Sequence, residues 1–159
     1  MLIRDAQPLD MDRVRGLFTS YADSLGFDLD FQDFDQELAG LPGAYGPPRG
    51  CILLAVRAAA GGVEELTGCV ALRPLETDIC EMKRLYVLPA HRGTGLGRDL
   101  AHAIIARARA LGYARMRLDT VDTMHAAMGL YRSLGFTPIN AYCANPLAGA
   151  RYFELDLVR

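Results

Sequence analysis

Apolar and polar positions change period several times along the chain, and each change marks an element. Residues 2–6 suit a first strand, after which Met11, Val14, Phe18, Tyr21 and Leu25 recur at helical spacing. Phe31, Phe34, Leu38 and Leu41 repeat that spacing and predict a second, shorter helix. Residues 51–56, 67–72 and 79–87 read as strands, with Gly61 and Gly62 marking the turn between the first two. Beyond Pro89, Leu96, Leu100, Ile104 and Leu111 share one helical face while Arg98, His102 and Arg109 fall largely elsewhere, and Gly112 is placed to cap that helix. A short strand over 116–118, a helix over 124–134 closed by Gly135, and a pair of strands over 136–143 and 152–158 complete the order. The pattern is mixed α+β, and it does not alternate as a doubly wound parallel sheet does.

Length and composition narrow this to one domain over residues 1–159. Of the 159 residues, 51% are hydrophobic and 23% charged, the balance of a globular core and not of a disordered or fibrous chain. Neither a repeat nor a linker divides the sequence, and residues 43–50 read as a loop. The first residues lack a basic stretch followed by an apolar one, and no apolar run approaches bilayer length, so the expected location is cytoplasmic with no membrane partner. Cys51, Cys69, Cys80 and Cys143 lie far apart without a Cys/His cluster, so they are expected as buried free thiols, with no metal site and no disulfide framework.

The net charge of −2 conceals a division. Residues 16–48 carry no Lys or Arg but contain Asp23, Asp28, Asp30, Asp33, Asp35 and Glu37. From Lys83 to Arg117 there are eight basic residues against the single acid Asp99. Either these are solvated faces, or one half suits a cation and the other an anion.

The most informative stretch runs from Cys80 to Arg98, a strand followed by a glycine-rich turn and the first turn of a helix. Glycines let a ligand approach the main chain, and the unpaired N–H groups at a helix N-terminus attract phosphate. No Gly-Lys-Ser/Thr follows, so this is not a Walker loop. The third glycine of a dinucleotide fingerprint is replaced by Arg98, which excludes that motif as well.

What remains is Arg-x-x-Gly-x-Gly in Arg92, Gly95 and Gly97, directly after Glu-Met-Lys-Arg-Leu-Tyr-Val. Here the chain resembles the GCN5-related N-acetyltransferase (GNAT) family. Residues 127–136, Ala-Met-Gly-Leu-Tyr-Arg-Ser-Leu-Gly-Phe, are similar to that family's A-x-x-L-Y-x-x-L-G-F signature, and the resemblance covers about residues 67–158. It implies a mixed, largely antiparallel twisted sheet of about seven strands, flanked by about four helices, with splayed central strands. It implies acetyl-CoA as cosubstrate and an amine of a small molecule, peptide or protein as acceptor, attacked directly in a ternary complex. A metal and nucleic acid play no part, and a homodimer is the common assembly.

By the same resemblance, main-chain N–H groups of Arg92, Gly93, Thr94, Gly95, Leu96, Gly97 and Arg98 would hold the cofactor's pyrophosphate. Tyr86 and Val87 would pair with the pantetheine arm, and the Leu85 N–H would face the thioester oxygen, where a fixed donor stabilises developing charge. Tyr131 takes the position of the general acid beside the sulfur, and Glu81 that of the strand carboxylate serving some members as general base. Each has a plainer reading, Tyr131 as a core aromatic and Glu81 as a strand residue paired with Lys83 or Arg84. The chain departs from the family in carrying Met124 where many members have a cofactor-bonding Asn, with Asp122, Thr123 and His125 as neighbours able to substitute. Residues 23–37, 45–49 and the terminal hairpin with Tyr142, Asn145 and Arg151 fall where acceptor sites are shaped. A binding module that holds acetyl-CoA without turnover is the alternative from another class.

Overall fold

The computed structural model describes residues 1–29 and 33–158. Phe31 of the second helical pattern and Asp30 of the acidic segment lie outside the described residues. Seven strands form one sheet: β1 (Leu2–Asp5), β2 (Cys51–Ala58), β3 (Glu64–Pro74), β4 (Ile79–Val87), β5 (Arg115–Val121), β6 (Thr137–Ile139) and β7 (Ala150–Asp156). Their spatial order is β1-β2-β3-β4-β5-β7-β6, and every neighbouring pair is antiparallel except β4 with β5. Four helices, α1 (Met11–Ser24), α2 (Phe34–Ala39), α3 (Leu96–Ala110) and α4 (His125–Ser133), cover the sheet. The α+β class that the sequence pattern predicts and the sheet that the resemblance implies are those observed.

Alternation along the strands divides the core in two. Leu53, Val70, Leu72, Met82 and Met116 pack with Leu100 and Ile104 of α3 and with Tyr131 of α4. On the opposite face Leu54, Val56, Cys69, Ala71 and Tyr86 pack with Val14, Leu17 and Phe18 of α1. Residues 51–56 are therefore buried on both faces, which is why they read as an unbroken apolar run. Gly68 sits where a side chain could not, since a Cβ there would meet Tyr86 O at 2.8 Å and Leu100 Cδ1 at 3.1 Å.

Some boundaries differ from the sequence reading. The second helix ends at Ala39, where Gly40 closes it with an N–H bond to Gln36 O, so Leu41 lies beyond it. β5 runs three residues past Leu118, because Asp119, Thr120 and Val121 continue the ladder with β7 although Asp is a type depleted in strands. The strand expected over 136–143 pairs only from Thr137 to Ile139. The chain beyond it leaves the sheet because Tyr142 and Asn145 bond to carboxylates on β4 and β5. Cys51, Cys69 and Cys80 are buried free thiols, whereas Cys143, on this departing segment, is exposed. Among the described residues, no helix is long and apolar enough to cross a membrane and no cluster suited to a metal ion occurs.

Candidate active site

Two irregularities in β4 create the site. Cys69 pairs with Tyr86 but Ala71 with Lys83, so β4 carries one extra residue opposite Val70. Arg84, inside this bulge, has φ 60, a left-handed conformation uncommon for a residue with a side chain. The second irregularity lies on the other edge of the strand. β4 and β5 pair only from Ile79, Cys80 and Glu81 to Arg115, Met116 and Arg117, after which they part. A parallel pair that ceases to pair opens a wedge, and among the described residues no strand pairs with the β5 side of β4 beyond Glu81.

A cleft occupies this wedge. Its walls are residues 82–85 of β4, 118–121 of β5, and Met124, Ala127 and Tyr131 at α4, with Tyr21, Leu25, Phe27, Leu29, Asn145 and Leu147 around the rest. Tyr131 is held by Phe136 and Phe153, ring centroids 5.7 and 6.4 Å away. Burial pushes its phenol well above the usual tyrosine range, with Tyr21 and the Asp119 carboxylate adding to the rise. The hydroxyl keeps its proton at neutral pH, as an unperturbed tyrosine also does, and can donate a hydrogen bond. Leu85 also lines the cleft, just after the bulge.

The glycine turn follows β4 directly. Gly93 and Gly95 have φ of 77° and 87°, and a Cβ on either would meet nothing within 4 Å, so the turn presents its main chain to open space. Gly95 immediately precedes α3, whose first intrahelical bond runs from Asp99 N–H to Gly95 O at 3.0 Å. The N–H groups of Leu96, Gly97 and Arg98 precede that bond and point out of the helix end. Arg92 folds back along β4, its Nε donating to Val87 O at 3.0 Å and its guanidinium 5.6 Å from the Tyr86 ring centroid. This backbone cradle fits a pyrophosphate.

Glu81 is placed differently. It is 2% exposed and is not among the residues lining the cleft. One carboxylate oxygen accepts from Arg73 Nε at 2.8 Å and the other from the Tyr142 hydroxyl at 2.6 Å. Arg73, and neither Lys83 nor Arg84, is its cationic partner. Arg84 instead grips Glu37 of α2 through Nε and Nη2, both at 2.9 Å, while Tyr45 donates to the same carboxylate at 2.8 Å. Lys83 Nζ lies 3.6 Å from Asp119 Oδ1.

Asp119, which the strand assignment over 116–118 left out, is the one carboxylate lining the described cleft. The Arg-Met-Arg-Leu-Asp-Thr-Val alternation was its signal, since Met116, Leu118 and Thr120 are buried in period two. Met124 lines the cleft as its family position implies, but Asp122, Thr123 and His125 do not, and Asp122 is engaged by Arg151 at 3.4 Å.

A family model described as the acetyltransferase (GNAT) family matches residues 12–136. The chain belongs to this family. An N-acetyltransferase of Schizosaccharomyces pombe, named as uncharacterised, is 42% identical over 151 residues, covering 94% of this chain and 90% of the other. One from Dictyostelium discoideum, named likewise, is 27% identical, with 86% and 89% covered. A GNAT-family acetyltransferase structure from Staphylococcus aureus superposes with a TM-score of 0.78 at 18% identity, covering 98% of each chain. A Salmonella typhimurium structure solved with its cofactor acetyl-CoA gives 0.71 at 22%, covering 99% of this chain and 94% of the other, and both likenesses are of fold. GNAT proteins use acetyl-CoA, and this chain is accordingly an acyltransferase, an acetyl-CoA-dependent N-acetyltransferase in general class.

Proposed function

We propose that the chain acetylates the primary amine of an acceptor by direct attack on acetyl-CoA within a ternary complex, in the wedge between β4 and β5. The observation that carries this reading is the position of Tyr131 on the wall of that wedge, with its phenol in the protonated form. The turn from Arg92 to Arg98 holds the pyrophosphate on its N–H groups, and the unpaired edge of β4 at Tyr86 and Val87 takes the pantetheine arm as a neighbouring strand would. The Leu85 N–H, re-aimed by the bulge at Arg84, serves the thioester oxygen.

The residues divide the proton chemistry. The acceptor ammonium gives one proton to Glu81 by way of the Tyr142 hydroxyl, its nitrogen forms the C–N bond as the C–S bond breaks, and Tyr131 delivers its proton to the departing sulfur. The second proton released by the nitrogen restores the phenol. Glu81 takes part through the Tyr142 hydroxyl, which already donates to it at 2.6 Å. Burial and the Glu81 carboxylate both push the Tyr142 phenol upward, so this hydroxyl can pass a proton inward but does not itself ionise. No covalent enzyme intermediate enters, and Cys143, on the rim, is not needed.

The test is thiol release from acetyl-CoA over a panel of amines. Release that depends on an amine supports transfer. Binding of acetyl-CoA with no release for any amine would identify a binding module instead.

A further inference from the structure

Between Ile139 and Ala150 the chain belongs to no helix or strand. Tyr142, Asn145, Leu147 and Gly149 turn inward along this segment, and the residues between them are exposed. Side-chain bonds tie it to three strands. Tyr142 donates to Glu81 of β4 at 2.6 Å, Asn145 to Asp119 of β5 at 3.1 Å, and the Tyr152 hydroxyl of β7 to Cys143 O at 3.3 Å. Of the side chains in these bonds, Asn145 and Asp119 line the cleft, and Leu147 lines it with them.

The Asn145 amide works at both ends. Its Nδ2 donates to Asp119 Oδ2, while its Oδ1 accepts from Leu147 N–H at 3.0 Å and closes a tight turn. A carboxylate only accepts and a main-chain N–H only donates, so one orientation of the amide satisfies both partners and the reverse satisfies neither. One side chain thus shapes the turn that carries Leu147 and docks that turn on β5. Leu118 packs on the α3 side of the sheet, so by strand alternation Asp119 faces the other side. The docked segment therefore bounds the cleft on the side away from α3, together with Tyr21, Leu25 and Phe27, which pack against the core there.

We infer that Asn145 is a positioning residue for the acceptor: its bond to Asp119 holds residues 140–149 as a wall on the acceptor side of the cleft. This rests on the transferase reading and adds to it the residue that shapes the acceptor side. A loop that must order when substrate arrives subtracts its entropy from binding, whereas a wall docked in advance does not. Loss of the dock therefore weakens acceptor binding and leaves the cofactor turn and Tyr131 as they are.

The experiment replaces the donor alone. Asn145→Asp keeps the side-chain shape and the oxygen that accepts from Leu147 N–H, but it sets a second carboxylate against Asp119. Kinetics are read as thiol release with phenethylamine, spermidine, phenylalanine and a peptide with a free N-terminus, and hydrogen exchange follows residues 140–149. For the amine used best, KM is expected to rise roughly tenfold or more, the scale of a lost hydrogen bond with an unmet charge. The KM for acetyl-CoA and kcat should stay within about twofold, and exchange over 140–149 should quicken. Asp119→Asn combined with Asn145→Asp restores a donor facing a carboxylate, so it should recover most of the lost affinity and protection. An unchanged acceptor KM in folded Asn145→Asp, an equal rise in KM for acetyl-CoA, or a double variant no better than the single one would overturn the inference while leaving the transferase reading standing. Wild-type protein that releases no thiol with any of the amines would overturn the transferase reading, and the acceptor role of Asn145 with it.

Discussion

On the α3 side of β4, Cys80, Met82 and Leu85 pack against apolar side chains, and the adjoining turn presents its main chain to open space. On the α1 side, the same strand presents Glu81, Lys83 and Arg84, each joined to a charged partner from a different element. Arg73 comes from β3, Asp119 from β5 and Glu37 from α2. One strand thus separates a half built from backbone and apolar packing from a half built from paired charges. In the proposed function the first binds groups that every reaction of the family shares, so local chain geometry suffices. The second must recognise a particular acceptor, and charge placed by distant segments supplies that individuality.

If the cofactor half depends on main-chain geometry, the largest effect should come from disturbing that geometry alone. Gly95 has φ of 87°, which a β-branched residue adopts only with strain, although the space beside it is open. Gly95→Val is expected to weaken acetyl-CoA binding by roughly a hundredfold or more, through strain at the end of α3 and bulk over its free N–H groups. Calorimetry on a variant with native circular dichroism measures this. An affinity equal to the wild type would show that the turn is not the phosphate cradle.

Tyr131 stands where the two halves meet, and Tyr131→Phe sharpens the boundary because it removes only the hydroxyl. The ring contacts with Phe136 and Phe153 persist, so stability and acetyl-CoA affinity should stay near native. Turnover should fall by roughly a hundredfold, the scale of a positioned proton donor. Full activity would remove the hydroxyl from the mechanism, and loss of folding would make the tyrosine a core residue first.

The contrast also explains what the sequence could show. Arg92, Gly95 and Gly97 lie within one short stretch, so the turn is legible in the sequence with its flanking strand and helix. The order of strands and helices was legible for the same reason, since amphipathic period is local. The charge pairs were not. Lys83 and Glu81 lie two residues apart and invite pairing with each other, but the pleat directs both to one face, where Asp119 and Arg73 lie closer across the sheet. The extension of β5 to Asp119 is masked in the sequence because Asp disfavours strands and interrupts the apolar run, and the ladder with β7 carries the strand over it. Tyr142 and Asn145 could be assigned to the acceptor region, while their bonds to Glu81 and Asp119 depend on the path of a loop that no periodicity describes.

A half built from charge should be the one that acid loosens. Arg4 places its guanidinium on both oxygens of Asp10, at 2.8 and 3.1 Å, and Gln7 N–H adds a bond of 2.7 Å at the start of α1. The Arg4 hydrogen bonds are the main cause that holds this carboxyl below its usual value. A lowered folded pKa contributes stability that is present above the unfolded value of about 3.9 and is lost as pH falls through the folded one. Asp10→Asn should therefore cost about 1–3 kcal/mol at pH 7, within the range for a broken buried network. The gap from wild type should close as the solution is acidified below about pH 3. Urea melts at pH 7 and pH 2.5 test this, and a difference independent of pH would assign the loss to packing.

The smallest effect should come from Arg92, a charge in the cofactor half poised beside the main-chain cradle. Arg92 is exposed and already tethered, with Nε on Val87 O and the guanidinium over Tyr86, so its remaining N–H groups can reach a phosphate only as an accessory to the amides. An exposed charge contact contributes about 0–1 kcal/mol, which corresponds to a loss of up to about fivefold in affinity for Arg92→Ala. Because the contact is screened, the loss should be greatest at low salt, and the variant's affinity should depend less steeply on ionic strength than the wild type's. Titrations at two salt concentrations read both quantities. A loss as large as that of Gly95→Val would mean that charge, and not the main chain, carries phosphate binding, and would dissolve the distinction between the halves. A loss that is the same at both salt concentrations would assign Arg92 to holding the end of β4 through Val87.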